Sequence, residues 1–378
     1  MTGSCSHEAS PLGWDSGVVW RKEDRSDRAL FPLSPEDRAR FVQGERLFSK
    51  TFLESEGLGP LYIQRSCESC HEGDARGPGV VLRFVPPPGF AFGDTLIPRS
   101  VQNATPIRPP QGTPLFRRFP PPVFARGLIE AIPDETIEGW ARAQAEDPGP
   151  VRGVPARLSP SSSDPPSIFG SNPPRLGRFG HKARSATLEA FVADALHVDM
   201  GLTSAFRPQE VPNPSGIAED GRPGLDLDEK DFGALVGYVR LLDLPERKTS
   251  DSKGESLFRG VGCAECHVPE ARTRSDHPIA VLANREVKLY TDLLLHDMGD
   301  GLADGIREGA ASGRMWRTSP LIGLRFFKRF LHDGSARSVL EAIERHDSAG
   351  SEARESVAKF RALPFEERQA LLRFVEGL

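Results

Sequence analysis

The chain has 378 residues, 38% hydrophobic and 27% charged, with a formal net charge of −5 and a pI near 6.0. That length suits one to three domains, two being the natural number. The acid excess argues against nucleic acid or an anionic membrane as main partner, since both reward a basic surface. No apolar run reaches the roughly 18 residues that span a bilayer.

Residues 1–30 show no clear periodicity and read as a loose arm carrying Cys5 and His7. Ser34-Pro35-Glu36-Asp37 then looks like an N-cap, a first-turn proline and an acid, opening a helix that ends near Gly44-Glu45-Arg46-Leu47-Phe48. Next comes Cys67-Glu68-Ser69-Cys70-His71. Of the 34 prolines, 20 fall in residues 82–178. Proline removes donors and blocks helix interiors, so this stretch is expected to be irregular, with residues 152–175 a surface loop. Ala234-Leu235-Val236-Gly237-Tyr238-Val239 carries apolar residues at helical spacing.

After the polar linker Leu244–Ser252 the pattern returns: Gly254-Glu255-Ser256-Leu257-Phe258, then Cys263-Ala264-Glu265-Cys266-His267, then Ala370-Leu371-Leu372-Arg373-Phe374-Val375. Each half runs helix, motif, long excursion, closing helix. The expected fold is therefore mainly α, two cytochrome-c-like domains in tandem with long Pro-rich loops. The boundaries are an arm over 1–30, a first haem domain over 31–245 and a second over 250–378.

Four of the five cysteines form two C-x-x-C pairs, each followed at once by histidine. This spacing reads as covalent attachment of haem c. Two thiols on one turn add to the vinyl groups of one porphyrin, and the next residue faces the iron. A thioredoxin-like pair does not need the following histidine twice, and a zinc site would want further cysteines than Cys5. Two haem c groups are expected, attached through Cys67, Cys70, Cys263 and Cys266 with His71 and His267 as iron ligands. Among the other histidines, His7 and His277 read as solvated. His181, His197, His296, His332 and His346 sit in more specific contexts, and with two irons present at least one is expected to be an axial ligand.

Several stretches resemble the bacterial dihaem oxidoreductases that carry a thiol-oxidoreductase label. These are relatives of the dihaem cytochrome c peroxidases and of the dihaem enzyme that matures the cofactor of methylamine dehydrogenase. The matching residues are Gly127-Leu128-Ile129-Glu130-Ala131-Ile132-Pro133, Leu176-Gly177-Arg178-Phe179-Gly180-His181-Lys182-Ala183 and Asp199-Met200-Gly201. They continue in Tyr290-Thr291-Asp292-Leu293-Leu294-Leu295-His296-Asp297-Met298-Gly299, Trp316-Arg317-Thr318-Ser319-Pro320-Leu321 and Phe330-Leu331-His332-Asp333-Gly334-Ser335-Ala336-Arg337. The resemblance covers the chain from about residue 40 to its end.

It implies unequal haems: a first one reacting with hydrogen peroxide, and a second, six-coordinate one passing or storing electrons. In the peroxidases the second haem's distal ligand follows the His-Asp-Gly motif by fourteen residues, which from His332 is His346. It implies Asp199 as the distal acid of the first haem, with His197 its competitor as acid/base or sixth ligand; a helix-terminal cap is the other reading of Asp199. His181 stands where many relatives have tryptophan, so it either approaches the first haem or lies between the irons. Arg317 and Arg337 are candidates to pair with haem propionates, since arginine forks match carboxylates. His296, Met298 and His332 are expected around the second haem. The peroxidases also hold calcium between their domains, a possible further cofactor.

The expected activity is a peroxidase-type dihaem oxidoreductase. The electron donor is either a small redox protein or a residue of a protein substrate. The alternative is an electron-transfer cytochrome with both irons six-coordinate. Thiol oxidation ranks below both, because no cysteine pair is left outside the haem motifs. Haem c attachment implies the periplasm or the outer side of a bacterial membrane, although no signal peptide is visible. Gly3-Ser4-Cys5 resembles the tail of a lipoprotein cleavage site, which makes Cys5 a candidate lipid anchor.

Overall fold

The computed structural model describes residues 29–74, 77–101, 103–159, 167–170, 173–218, 222–247 and 251–378. Cys5 and His7, residues 160–166 of the Pro/Ser-rich loop and residues 248–250 of the linker lie outside the described residues.

Helix α1 (Pro35–Ser49) begins where the capping residues place it: the Ser34 hydroxyl accepts the Asp37 amide at 3.0 Å and Pro35 occupies the first turn. Helices α2 (Arg126–Glu130) and α3 (Asp134–Glu146) lie within the Pro-rich stretch. Helix α4 (Leu188–Ala195) runs into a π-helical turn, Leu196–Met200, and α5 (Glu229–Leu241) closes the first half. The second half holds α6 (Ser252–Gly260), α7 (Val339–Arg345), α8 (Arg354–Ala362) and α9 (Phe365–Glu376). Helix α3 was not expected in a proline-dense region. It fills the proline-free window between Pro133 and Pro148, where nothing interrupts the i→i−4 ladder.

The internal repeat is also a structural repeat. Helix α1 packs on α5 and α6 packs on α9, each pair crossing at a glycine. A β-carbon on Gly44 would lie 2.1 Å from the Ala234 carbonyl oxygen and 2.6 Å from the Tyr238 β-carbon. On Gly254 it would lie 2.5 Å from the Ala370 oxygen and 2.5 Å from the Phe374 β-carbon. Phe48 then lies against Tyr238, with ring centroids 5.3 Å apart, and Phe258 against Phe374 at 5.7 Å.

Among the described residues there are eight strands of two or three residues: β1 (Leu61–Tyr62), β2 (Val81–Arg83), β3 (Arg99–Ser100), β4 (Phe116–Arg118), β5 (Ala271–Arg272), β6 (Glu286–Val287), β7 (Leu295–Asp297) and β8 (Met315–Arg317). They pair antiparallel as β1–β3, β2–β4, β5–β6 and β7–β8. With helices making up 34% of the chain, the fold is mixed α/β and not the mainly α fold expected. The excursions between helices are buried in part, and a buried backbone amide or carbonyl must find a partner, so these segments pair with one another.

The larger apolar core crosses the linker. It runs from Leu30 through Phe124, Leu188 and Leu235 to Leu282, Leu289, Leu294 and Ile322. A smaller core gathers Phe258, Tyr290, Phe360, Leu371 and Phe374. Leu30, assigned by sequence to the loose arm, is buried and donates its amide to the Leu241 carbonyl at 2.8 Å. Much of the motif-rich sequence is framework. Glu130 pairs with Arg240 at 2.7 Å, both buried, and accepts the amide that starts α4. Lys182, fully buried, reaches Asp304 at 3.0 Å and the Ile306 and Ser312 carbonyls. Among the described residues no helix is long and apolar enough to cross a membrane.

Candidate haem sites

Both Cys-x-x-Cys-His motifs form a tight turn. The His71 amide donates to the Cys67 carbonyl at 2.9 Å, and the His267 amide to the Cys263 carbonyl at 2.9 Å. Each turn sets its histidine near the phenylalanine at the end of the preceding helix: Phe48 to His71 at 6.2 Å and Phe258 to His267 at 6.5 Å. The four thiols are unbridged and deep in the chain. Burial pushes Cys67 and Cys263 up to about 12 and raises Cys70 and Cys266 as well. Such thiols are not activated nucleophiles, which removes support from thiol exchange as their role. Each nonetheless keeps accessible area, and at the second turn that area faces internal space.

Beside the second turn that space is a cavity of about 250 Å³. Its walls include Cys263, Cys266 and His267 together with Ala342, Ile343 and His346. The two histidines carry matching hydrogen bonds. His267 Nδ1 donates to the Tyr290 carbonyl at 3.0 Å, and His346 Nδ1 donates to the Ala342 carbonyl at 2.6 Å. With the proton held on Nδ1, each Nε2 is a bare lone pair, the form that binds iron. Burial lowers both pKa values, His267 to about 4, so neutral imidazole persists at physiological pH.

The same cavity reaches Arg126 and Arg317. Arg126 donates to the Pro122 carbonyl; Arg317 donates to the Gly180 carbonyl at 3.0 Å and the Thr318 carbonyl at 2.8 Å. No carboxylate among the described residues pairs with either. Burial, and then each other's charge, brings Arg126 down to about 9; burial brings Arg317 to about 10. Two buried cations side by side call for an anion, and haem propionates are such anions. The donors therefore fit a haem: two thiols, two imidazoles and a pair of guanidiniums around one cavity. Arg317, a sequence candidate for propionate pairing, lines this cavity. Arg337 is exposed, on the surface turn that caps α7, and does not line the cavity. Arg126 was missed, since an arginine before a Gly-Leu pair carries no local signal of what it faces.

Near the first turn the structure places Asp199. Its carbonyl accepts the Ile63 and Gln64 amides at 2.7 and 3.0 Å, tying it to the segment that leads into Cys67. Gly201, at φ +70°, lets this π-helical turn close on the chain before Cys67: a β-carbon there would lie 2.5 Å from the Leu61 oxygen. Burial pushes the Asp199 carboxyl up to about 6, partly opposed by Arg184 and Arg83. Its charge in turn disfavours ionisation of both Cys67 and Cys70, so it lies within electrostatic reach of the first motif. His197 sits on the same turn, but its Nε2 is engaged by the Gln209 carbonyl at 2.8 Å, and burial lowers its pKa.

His181 lines the second cavity. Its Nε2 meets the Phe119 carbonyl at 2.6 Å, and its ring stands 6.4 Å from both Trp316 and His332, which stack at 3.5 Å. His296, Met298 and His332 line the cavity too. His277, read as solvated, is buried: its Nδ1 accepts the Ile279 amide at 3.0 Å and its ring packs edge-on against Phe169. The polar residues around it in sequence hid a fold-back that covers the ring.

An apolar cavity walled by two lone-pair imidazoles and two guanidiniums that have no carboxylate partner among the described residues is the environment of a haem, and the protein is of the haem-binding class. The family model described as "Di-haem oxidoreductase, putative peroxidase" matches residues 114–378, and the chain belongs to this di-haem oxidoreductase family. The match takes in the second motif and Asp199 but begins after the first motif. The solved structure of Kuenenia stuttgartiensis hydrazine synthase, pressurised with 20 bar xenon, is similar over 100% of this chain and 98% of that one, with 14% identity and a TM-score of 0.43. No curated protein matches the chain.

Proposed function

We propose that the protein is a peroxidase-type enzyme with two covalently held haem c groups, the first meeting hydrogen peroxide and the second passing or storing electrons. The observation that carries the reading is the inequality of the two surroundings. The second has a histidine ready to cap its iron, whereas the first has a buried carboxyl with a raised pKa. Haem iron held by a proximal histidine supplies the electrons and the binding site for peroxide.

The chain supplies the rest. Cys67, Cys70 and His71 hold the first group, and Cys263, Cys266, His267 and His346 the second, with Arg126 and Arg317 on its carboxylates. Asp199 accepts a proton from one peroxide oxygen and delivers it to the other, so that the departing oxygen leaves as water. A carboxyl titrating near 6 is suited to both halves of that transfer at neutral pH. Two electrons and two protons in all convert peroxide to two waters. The electrons come from a small redox protein or from an oxidisable residue of a protein substrate. Attachment of haem c takes place outside the bacterial cytoplasm, and the protein is assigned there.

Low-temperature EPR of the ferric, haem-loaded protein, before and after one-electron reduction, tests the reading. One low-spin signal beside a high-spin one in either state is expected. Two low-spin signals in both states would make the protein an electron carrier with both irons capped.

A further inference from the structure

A buried ionic cluster beside the second site is used by none of the steps above. His296 in β7 is 2% exposed. Its Nε2 meets the Asp292 carboxylate at 2.9 Å and its Nδ1 the Glu352 carboxylate at 2.8 Å. Each nitrogen faces an acceptor, so both carry protons and the ring is a cation held between two anions. Nδ1 is also 3.7 Å from the Cys266 sulfur.

The two carboxylates are tied to different segments of the chain. The Asp292 amide donates to the Cys266 carbonyl at 3.0 Å, so Asp292 is fastened to the attachment turn. Its carboxylate also takes the Gln144 side-chain amide at 2.8 Å. Glu352 lies in the loop that follows His346. It accepts the Asp297 and Arg152 amides at 2.9 and 2.8 Å, and its own amide donates to the Asp297 carbonyl at 3.0 Å.

The rest of that loop is closed against the same segment. Ser348 Oγ accepts the Gly301 amide at 2.6 Å, and the Asp300 amide donates to the Ala349 carbonyl at 3.2 Å. Gly299, at φ +73°, lets the two chains approach: a β-carbon there would lie 2.5 Å from the Ala349 oxygen. His-Asp-Met-Gly is thus one half of a clasp.

We propose that His296 is a positioning residue for the distal ligand of the second iron: through Asp292 and Glu352 it fastens the loop carrying His346 to the turn carrying Cys266 and His267. The proposal rests on the two-histidine reading of that site. Buried ion clusters contribute little net stability, because desolvation offsets attraction, while their geometry is narrow. A cluster of this kind serves where an atom must be held in place. The donor atoms of Cys266, Asp292 and His296 lie within 4.8 Å of one another, close enough for a metal ion. Both imidazole nitrogens are, however, occupied by carboxylates, and the sulfur is the one committed to attachment, so the cluster is complete without a metal.

The test uses the full chain loaded with haem, in the variants H296A, E352A and E352Q, with H346A as reference. Expected in H296A and E352A is two haems per chain, loss of more than half of the second iron's low-spin EPR signal, and its recovery on adding free imidazole. E352Q, which keeps one oxygen acceptor, is expected to fall between these and the parent. A parental low-spin signal in H296A and E352A, unresponsive to imidazole, overturns the proposal. So does failure of all three to take up the second haem, which would make the cluster a folding element. If H346A itself keeps the parental signal, the two-histidine reading fails, and that result is read separately from the clasp.

Discussion

The two Cys-x-x-Cys-His turns are built alike and surrounded differently. Both follow a helix that crosses a closing helix at a glycine, and both lie beside a phenylalanine that packs on an aromatic of the closing helix. Both are also served by an Asp-Met-Gly stretch whose glycine, at φ +70° or +73°, permits a close backbone approach. At the first turn that stretch presents the Asp199 carboxyl beside the cysteines. At the second it is preceded by His296, which locks into a clasp while a separate helix end delivers His346. One scaffold used twice thus places a buried carboxyl near one turn and a second imidazole in the cavity at the other. The backbone positions the group; the few side chains on the far side decide its role.

The sharpest way to break this contrast is His346→Ala. The second iron is expected to lose its low-spin EPR signal entirely and to bind added imidazole, making the two sites alike. An unchanged spectrum would mean another residue caps that iron.

Asp199→Asn addresses the other side. Peroxide turnover is expected to fall about 10²–10⁴-fold, the usual contribution of a positioned acid/base, with the haem content and the second site's spectrum unchanged. With the carboxyl raised to about 6, parental turnover falls as the pH drops through that value, and the variant lacks this limb. The stability sign runs the other way. A carboxyl whose folded pKa lies above its unfolded value opposes folding once ionised. Asp199→Asn should therefore melt higher than the parent above pH about 6, with the gap closing toward pH about 4.

Gly44→Val and Gly254→Val ask whether the shared scaffold carries equal weight in each half. Each places a branched side chain against a helix backbone, and each is expected to cost about 1–3 kcal/mol, by the usual penalty of overpacking. Thermal melts followed at each haem band would show which half loosens; no change in either variant would mean that the crossings are not tight in solution.

The smallest effect is expected from Arg126→Gln. Losing a buried positive charge disfavours the reduced, less positive iron. The second haem's midpoint should fall by about tenfold in the reduction equilibrium, roughly 59 mV for one electron, with the first unmoved. A rise, or an equal shift in both, would place Arg126 elsewhere.

Much of the scaffold was legible before any coordinates. The capping run at Ser34, the paired Gly-Glu-x-Leu-Phe stretches and the closing helices are local signals, and locality is what sequence records well. The two Cys-x-x-Cys-His motifs were legible for the same reason. His346 came from resemblance, and its Nδ1 bond to Ala342 then showed how the helix end presents it. The small antiparallel pairs and the buried His277 were not legible, because each depends on partners distant in the chain. Helix α3 was read as loop because the proline count was taken over the whole stretch, when what matters is the gap between Pro133 and Pro148. Arg126 and Arg317 meet only in space, as do His296 and Glu352.

The sequence by itself determined that this chain carries two Cys-x-x-Cys-His turns of the haem-attachment type, since thiols and imidazole on one turn are a matter of local spacing. Only the tertiary structure decided what surrounds each turn: a buried carboxyl near one, and at the other a second imidazole with two guanidiniums that have no carboxylate partner among the described residues. Those properties arise from burial and from charges brought together across the chain, and neither burial nor proximity is written in the order of residues.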